Sequence, residues 1–594
     1  MDFAVTRRGR RVVSRGRIAD FEKTYDAIVV GLGTAGAEAY CRCVEAGLNT
    51  LGIEKYNGMG GIGTIGCVDF GGSIPDRMRD CERRGVRGEV IYEAVVDGVW
   101  MDGVRVAGVR TLANGIRRSF GAKVVIDATG NASVARMCGV RLRRGRAFDG
   151  VMAPCARAES WLTPEGKIRP IYRNYPEDLT KTGEEYSATV TMLARERHRF
   201  WRFQRSKMRL IKPALLVGAR EECRVETEKV VSLMEVLSGQ TCADPIFYAF
   251  EPEDLPVFHN DYAFESEAIQ NWKVLCGLPL FAYPAALPYG TIVAKGVDGL
   301  LVPSKHFGVS HDLGGGIRMQ SAMRRSGAAA AAAAKVAVVR GCRPADVPYA
   351  ELRPLLEKFA TLTPPRHDYV TSVNGYVFKP FSDDDVVAAL DRDVTRTTEW
   401  WYAKSTGAPE ERAAYAYWTA WHRALCAPAA ARKALADRLS AAADRGGRHA
   451  GNYAVALGLM KDKRALPLLR SIVTSPGSAC DPVIGNAFPN RFKAILLLGR
   501  FADAESLPTL MAIVQDEAHA FTADLLKTKV FHSSDMYRFQ ALSYTLMALK
   551  SILRAHPDRA VSAALNRWRE RVRVFKATDG KDLGGRLRHI HFEE

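Results

Sequence analysis

Three closely spaced glycines near the start of the sequence could bind the phosphates of a dinucleotide. They are Gly31, Gly33 and Gly36, and they follow directly after the apolar run 27–30. The first glycine permits a tight turn, the second lets a pyrophosphate approach the backbone, and the third lets a helix pack close to the preceding strand. Glu54, at the end of the next apolar run, supplies a carboxylate that can accept hydrogen bonds from a ribose.

The surrounding pattern predicts the elements that position these residues. Residues 25–55 are typical of a strand, a tight turn, a helix, a loop and a second strand. The N-terminus of that helix would present unpaired N–H groups and the positive end of the helix dipole to the phosphates. Because the strands, the helix and the acid are all in place, the glycine pattern predicts a dinucleotide-binding fold.

The segment that follows Glu54 indicates which dinucleotide is bound. The stretch "KYNGMGGIGTIGCVDFGG" carries Gly60, Gly61, Thr64 and Gly66 in the order of a GGxxTxG run. This stretch resembles the FAD-dependent oxidoreductase family, whose FAD-binding fold is of the glutathione-reductase type. The resemblance implies FAD as the cofactor.

Three further blocks are similar to the same family, and they occur in the family's order. Residues 122–140 resemble its strand and ATG loop, 217–249 its arginine-bearing segment, and 295–341 the segment that closes on the flavin. The matches together cover roughly residues 25–356. The resemblance and the glycine pattern imply these cofactor-binding residues: Gly31, Gly33, Thr34, Ala35, Gly36, Glu54, Lys55, Gly60, Gly61, Thr64, Thr129, Gly130, Ser304, Gly316 and Ile317.

The sequence departs from the family pattern in two places. Many flavoproteins carry a Gly-Asp pair in the closing segment, whose carboxylate holds the ribityl chain, whereas this strand ends in "VPSKHFG". Ser304, Lys305 and His306, or the backbone, must do that work differently. The stretch between Gly72 and Val90 is also short and charged, which indicates that part of the usual substrate enclosure is missing.

Histidine and arginine are the natural candidates for chemistry beside a flavin, because hydride transfer needs an acid or base and a group that offsets charge. His311 and Arg318, in "SHDLGGGIRM", fall on the family's His and Arg positions and flank the predicted turn. We expect His311 to be the acid or base, with a backbone-bonded turn histidine as the alternative, and Arg318 to stabilise charge. A helix is predicted to begin near Ile317.

Two further candidates lie earlier in the chain. Arg220 and Arg224 would share a face if their stretch were helical, and they could then anchor an acidic or hydroxyl-rich substrate. An ion pair of these arginines with Glu221 or Asp244 is the alternative. His259 resembles a family position on the substrate side.

Composition limits the remaining possibilities. The net charge of +18 is spread along the whole chain, which favours a solvated basic surface over a nucleic-acid site. The twelve cysteines form no CxxC pair, so no metal site is expected. No apolar run is long enough for a membrane span or a signal peptide, and we expect a cytoplasmic location.

The second half of the sequence is predicted to be helical and contains an internal repeat. The stretches that start at Leu457 and Leu498 share glycine, aspartate, leucine and proline positions at a spacing of about 40 residues, which is in the HEAT-like range. We expect this region to pack on the N-terminal part or on a connector that contains "TTEWWYAKS". It would bind a protein partner, form a homo-oligomer, or simply cover the FAD domain.

These patterns predict an α/β Rossmann-like FAD-binding domain with an inserted α+β substrate domain, followed by an all-α HEAT-like region. We predict a basic N-terminal arm over 1–24 and a discontinuous FAD-binding domain over 25–150 and 285–358. A substrate or cap domain is predicted over 151–284, a helical connector over 359–447 and the HEAT-like repeats over 448–594.

The leading hypothesis is an FAD-dependent oxidoreductase that acts on a small polar substrate, such as a carbohydrate or another polyhydroxylated compound, with a separate electron acceptor. The absence of a second dinucleotide fingerprint disfavours a built-in NADPH site. One alternative, suggested by the positive charge, is a flavin-dependent RNA-modifying enzyme. Another is a non-catalytic flavoprotein scaffold whose repeats form the interaction surface.

Overall fold

The computed structural model describes most of the chain, with gaps between its described ranges. These ranges are 1–7, 10–15, 21–68, 88–153, 155–174, 207–254, 262–277, 282–364, 370–372, 376–378, 380–392, 409–474, 488–515, 534–571 and 591–592.

Strands dominate the first half of the chain. In order they are β1 (Asp2–Arg7), β2 (Arg10–Arg15), β3 (Lys23–Val30), β4 (Thr50–Ile53), β5 (Glu89–Ile91), β6 (Ala94–Asp102), β7 (Arg105–Ala113), β8 (Ile116–Asp127), β9 (Leu142–Arg143), β10 (Ala156–Leu162), β11 (Ile168–Asn174), β12 (Arg209–Pro213), β13 (Arg224–Val225), β14 (Pro245–Pro252), β15 (Ala282–Pro288), β16 (Leu300–Leu301), β17 (Val370–Ser372) and β18 (Tyr376–Phe378).

Helices occur along the whole chain and dominate its second half. In order they are α1 (Thr34–Glu45), α2 (Ser133–Cys138), α3 (Leu233–Leu237), α4 (Glu267–Ile269), α5 (His311–Ile317), α6 (Gln320–Arg340), α7 (Tyr349–Lys358), α8 (Asp383–Leu390), α9 (Pro409–Cys426), α10 (Ala429–Asp444), α11 (Ala450–Leu459), α12 (Leu466–Thr474), α13 (Asn490–Arg500), α14 (Leu507–Gln515), α15 (Ser534–Ala555) and α16 (Arg559–Arg571). None of the described helices has the length and apolar character that crossing a bilayer requires.

A mixed sheet with the strand order β2-β1-β6-β7-β8-β3-β4-β5 forms the core of the N-terminal part, and β16 also pairs with β8. Strands β3, β4, β5, β8 and β16 run parallel, and the register places Val30 opposite both Ile53 and Asp127. The carboxyl ends of three neighbouring strands therefore meet at one edge. Ligands of open α/β sheets bind at this kind of edge.

Small residues let helices α1 and α6 approach each other closely over this sheet. A Cβ on Gly327 of α6 would lie only 2.0 Å from the carbonyl oxygen of Ala35 in α1. The alanine run 328–334 that follows Gly327 is fully buried. This alanine run is thus the contact surface of a tightly packed helix.

The segment that contains His311 and Arg318 differs from its predicted shape. Its glycine run 314–316 was expected to form a turn, but it lies inside helix α5, and the long helix α6 begins at Gln320 rather than near Ile317. The N-cap Ser310 accepts a hydrogen bond from the N–H of Leu313, which starts the short helix. Gly314 is required there because a Cβ would lie 2.1 Å from the guanidinium of Arg224.

The predicted N-terminal arm is not an arm in its first part. Strands β1 and β2 pair with each other in antiparallel fashion, and β1 also pairs with β6 of the large sheet. Between β8 and β16 of the large sheet, the chain forms a separate three-stranded sheet from β10, β11 and β12, and β14 pairs with β15. The predicted domain boundaries, including those of a substrate domain, stay a prediction.

The region after residue 380 is helical in its described residues, as predicted, and its repeat corresponds to two similar helix pairs. In each pair a short 3₁₀ turn joins two helices, α11 to α12 and α13 to α14. The glycines of the repeat occupy equivalent contacts, because a Cβ on Gly458 would meet Leu497 of the next pair and a Cβ on Gly499 would meet Ala548 of α15. The HEAT-like assignment stays a prediction, and "TTEWWYAKS" lies outside the described residues.

These helices pack on the segment 262–277 of the N-terminal part, in agreement with the expectation. The guanidinium of Arg500, at the end of α13, donates hydrogen bonds to the side-chain oxygens of Asn271 and Gln270, the latter at 2.9 Å. The rings of Tyr262 and Phe488 also meet edge to face. The helical region is therefore attached directly to a segment that reaches the candidate site.

Candidate functional site

The glycine turn after β3 has the geometry that phosphate binding requires. Gly31 has φ +82, and a Cβ on it would lie 2.9 Å from Cα of Thr129. A Cβ on Gly36 would lie 1.8 Å from the carbonyl oxygen of Gly31, whereas a Cβ on Gly33 would meet nothing within 4 Å. The first and third glycines thus permit a tight turn and a close helix, and the second faces open space.

Helix α1 begins at this open space without a side-chain cap. Its N-cap residue is Gly33, which supplies no capping hydrogen bond, and the first N–H groups of a helix have no partner within the helix. The hydroxyl of Thr34 in the first turn is buried and has no hydrogen-bond partner among the described residues. The buried Ala35 and Gly36 complete a turn whose polar groups are left for an anionic ligand.

Glu54 lies at the end of β4, beside the glycine turn. Its carboxylate accepts hydrogen bonds from the N–H of Leu32 at 2.6 Å and of Tyr56 at 3.0 Å, which fixes its orientation. A carboxylate oxygen can accept further hydrogen bonds from a ribose. Lys55 is exposed, and its ammonium lies 4.9 Å from the centre of the Tyr56 ring.

The second glycine-rich stretch folds back over the glycine turn. The N–H of Gly60 donates to the carbonyl oxygen of Leu32 at 2.8 Å, and a Cβ on Gly61 would lie 3.0 Å from Cα of Gly33. The hydroxyl of Thr64 donates to the carbonyl oxygen of Met59 at 2.6 Å. Thr64 therefore stabilises the loop itself in this structure.

The ATG loop after β8 is held by Asp127. Its carboxylate accepts hydrogen bonds from the N–H and the hydroxyl of Thr129, at 3.1 and 2.6 Å, and from the N–H of Ala135 at 2.8 Å. Gly130, at the tip of the loop, is exposed. In the closing segment Ser304 is buried, and Gly316 and Ile317 are buried in the last turn of α5.

These residues fit FAD. The buried hydroxyl of Thr34 has no partner, the space beside Gly33 is open, and Glu54 lies at the same edge of the sheet. A cradle of this kind suits a dinucleotide with a diphosphate at the helix N-terminus and a ribose at the acid.

His311 lies between two buried carboxylates. Its Nδ1 is 2.7 Å from Oε2 of Glu221, its Nε2 is 3.3 Å from Oε2 of Glu265, and its side chain is 9% exposed. Burial alone would lower the pKa of His311, but the two carboxylates outweigh burial and raise the pKa to about 10. The imidazole is therefore positively charged at neutral pH.

Two arginines extend this group into a buried chain of alternating charges. Arg224 Nε is 3.1 Å from Oε1 of Glu221, and Arg146 Nη1 is 3.1 Å from Oε1 of Glu265. Burial would raise the pKa of Glu221, but His311 and Arg224 lower it to about 2. We refer to Arg224, Glu221, His311, Glu265 and Arg146 as the charge chain.

Arg318 and Arg220 converge on one carboxylate. Arg318 Nη2 lies 2.6 Å from Oδ2 of Asp254 and also donates to the Asp254 carbonyl oxygen, while Arg220 Nε is 3.9 Å from the same Oδ2. The Nε of Arg318 is buried, and within the described part of the chain it has no hydrogen-bond partner. Two guanidinium groups therefore share one acid at this point.

The predicted helix face of Arg220 and Arg224 is wrong. Residues 217–223 are not helical, and Arg224 lies in β13, so the two side chains diverge to Asp254 and to Glu221. The alternative ion pair with Glu221 is confirmed for Arg224. His259, the remaining candidate, lies outside the described residues.

Sequence patterns did not mark Glu265 or Asp254 as site residues. Glu265 meets His311 across a long stretch of chain, and its surroundings, "FESEA", carry no motif. Asp254 precedes the segment that contains His259, and this proximity to a candidate was its one signal.

The fold and the cradle define a dinucleotide-binding α/β protein of the flavin-dependent class. Residues 73–205 and 163–356 match the sequence model of the family described as FAD dependent oxidoreductase. This match covers a little under half of the chain, and the protein is an FAD-dependent oxidoreductase whose cofactor is FAD, as the sequence resemblance implied.

Several solved structures are similar to parts of the chain. A geranylgeranyl bacteriochlorophyll reductase-like protein from Thermoplasma acidophilum is 14% identical over 57% of this chain and 82% of its own, with a TM-score of 0.28. The myxobacterial chondrochloren halogenase CndH is 13% identical over 57% of this chain and 78% of its own, also with a TM-score of 0.28. The comparison with curated proteins found no significant match.

Proposed function

We propose that this oxidoreductase transfers hydride between a small polar substrate, of the carbohydrate or polyhydroxylated type, and N5 of the flavin. One observation carries the proposal: two side chains connect the cofactor cradle to the segments that bear Arg220 and Arg318. Lys305 lies beside the ATG loop and donates to the carbonyl oxygen of Ala219, and Gln320 donates to that of Val68 at 2.8 Å.

FAD, when bound, supplies the hydride acceptor or donor at N5. We assign its diphosphate to the helix terminus at Gly33 and Thr34, because the space beside Gly33 is open. We assign its ribose to Glu54, because the carboxylate can accept further hydrogen bonds. The loops around Gly61 and Gly130 would enclose it.

Arg318 is proposed to offset negative charge that develops on a substrate oxygen. Asp254 holds the guanidinium at 2.6 Å, and the buried Nε–H remains available as a donor. The guanidinium of Arg220 also approaches this acid, with its Nε 3.9 Å from Oδ2 of Asp254. A substrate oxygen that becomes negative would be stabilised there.

His311 was predicted to be an acid or a base. Since the pKa of its imidazole is about 10, the ring already holds its proton at neutral pH, and a cation can donate a proton but cannot accept one. We therefore assign His311 the role of an acid and not that of a base. That proton would pass to the substrate, while Glu221 and Glu265 hold the ring in its charged form before the transfer.

The test is an anaerobic spectrum of the purified protein. A flavin band near 450 nm that is bleached by one class among sugars, polyols, hydroxy acids and NAD(P)H would support the proposal and identify the substrate. R318M should keep the band but slow the bleaching at least tenfold, whereas R432M, an exposed control on α10, should behave as wild type. A colourless protein that cannot be reconstituted with FAD would overturn the proposal.

A further inference from the structure

The turn 303–306 replaces the Gly-Asp pair that many flavoproteins carry in this place, and it offers three polar side chains instead. Ser304 is buried, and its carbonyl oxygen accepts the N–H of Phe307 at 2.9 Å. His306 is 1% exposed, lies under the ATG loop with Nε2 4.0 Å from Asp127, and burial lowers its pKa, so it is neutral. Of the three, Lys305 is the residue whose side chain approaches Gly130 of the ATG loop.

The sheet register determines where Lys305 lies. Strand β16 runs parallel to β8 with Leu300 opposite Val125 and Leu301 opposite Ile126. The residues that come after β16 therefore lie beside the residues that come after β8, which form the ATG loop. The Cε and Nζ of Lys305 both lie 4.0 Å from the position that a Cβ would take on the exposed Gly130.

The ammonium of Lys305 is held in place without a carboxylate of its own. It donates a hydrogen bond to the carbonyl oxygen of Ala219, the residue before Arg220. The carboxylate with the largest effect on it, Glu222, is already 3.6 Å from Arg136. Burial chiefly, and also the charge of Arg318, lower the pKa of Lys305 to about 8.

The ammonium of Lys305 extends from the ATG loop to the carbonyl oxygen of Ala219, next to Arg220, and so lies on the side of the candidate catalytic residues. The diphosphate is assigned to the N-terminus of α1, whereas the charges that act on Lys305 are those of Glu221, Glu222 and Arg318 on the side of the candidate catalytic residues. A positive charge near the flavin ring favours the form of the ring that carries more electrons.

We propose that Lys305 is a positioning cation at the flavin end of the cradle and that it raises the reduction potential of the bound FAD. It takes the place of a carboxylate and acts with the opposite sign. The proposal rests on FAD binding in this cradle and does not depend on which substrate the enzyme uses.

The test measures the potential of the bound flavin, by anaerobic reduction in the presence of a reference dye, together with the affinity for FAD. The variant K305Q removes the charge and can still donate to the Ala219 carbonyl, and K305R keeps the charge. We expect K305Q to shift the ratio of reduced to oxidised flavin about tenfold toward the oxidised form, about 30 mV for two electrons. K305R and the exposed control K295M should stay close to wild type.

Two results would overturn the proposal. One is a K305Q protein whose flavin has the wild-type potential. The other is a K305Q protein that binds FAD more weakly at unchanged potential, because Lys305 would then serve the diphosphate. A wild-type protein that binds no FAD would instead contradict the proposed function itself.

Discussion

The charge chain predicts an unusual dependence of stability on pH, and the variant H311Q isolates it. The pKa of His311 is raised in the folded protein from 6.5 to about 10. A histidine whose pKa rises on folding adds stability that is fully present below its unfolded pKa and is lost as the pH rises through its folded pKa. The window of loss therefore runs from about pH 6.5 to about pH 10.

The size of the effect follows from the same shift. Each pKa unit corresponds to about 1.4 kcal/mol, so a shift of about 3.5 units contributes at most about 5 kcal/mol to the free energy of unfolding. The contribution applies at nearly full strength because the His311 side chain is 9% exposed and both carboxylates are 2% exposed. H311Q removes the ionisable ring and with it this dependence on pH.

The assay is urea unfolding of wild type and H311Q at several pH values between 7 and 10. We expect the difference in free energy of unfolding to be several kcal/mol at pH 7 and to shrink steadily toward pH 10. H556Q, which replaces an exposed histidine after α15, should give a difference close to zero that does not change with pH. A constant difference between wild type and H311Q across the window would refute the reasoning, because His311 would then be neutral throughout.

Three other changes test other parts of the structure. In the glycine turn, G36A should lose about 1–3 kcal/mol of stability through overpacking, whereas G33A, where a Cβ meets nothing, should fold normally and bind FAD at least tenfold more weakly; urea unfolding and flavin fluorescence separate the two. Glu253 is fully buried, burial raises its pKa to about 7, and its charged form therefore opposes folding as the pH rises from about 4.5 through 7. E253Q should be more stable than wild type at pH 8 by up to about 3 kcal/mol and not at pH 4, and equal differences at both would contradict this. R500M should cost about 1–3 kcal/mol through the lost hydrogen bonds to Asn271 and Gln270, and hydrogen exchange of 262–277 should show the loosening.

The parts of the site that could be predicted from the sequence are those built from neighbouring residues. The turn at Gly31 and Gly36 and the acid Glu54 lie within one strand-helix-strand unit, where spacing along the chain determines spacing in space. The match of the family then confirmed FAD. The position of such a cradle follows from local rules alone.

The charge chain could not be predicted in this way. His311 meets Glu221 and Glu265 through contacts between distant segments, and an isolated glutamate carries no local signal of its partner. Helix α5 was missed for the same reason, since its Gly314 makes room for Arg224, which belongs to the distant strand β13. The pairing of β1 with β6 was missed because it joins the start of the chain to a strand almost 100 residues away.

The attachment of the helical region has a consequence for how far the enzyme can be divided. Glu265, which helps to set the charge of His311, belongs to the segment 262–277 that Arg500 and Phe488 hold from the other side. The helices are therefore not an independent module that evolution or an engineer could exchange freely. A swap of the C-terminal half would change the surroundings of Glu265 and so the charge of His311, even though it would alter no residue of the cofactor cradle.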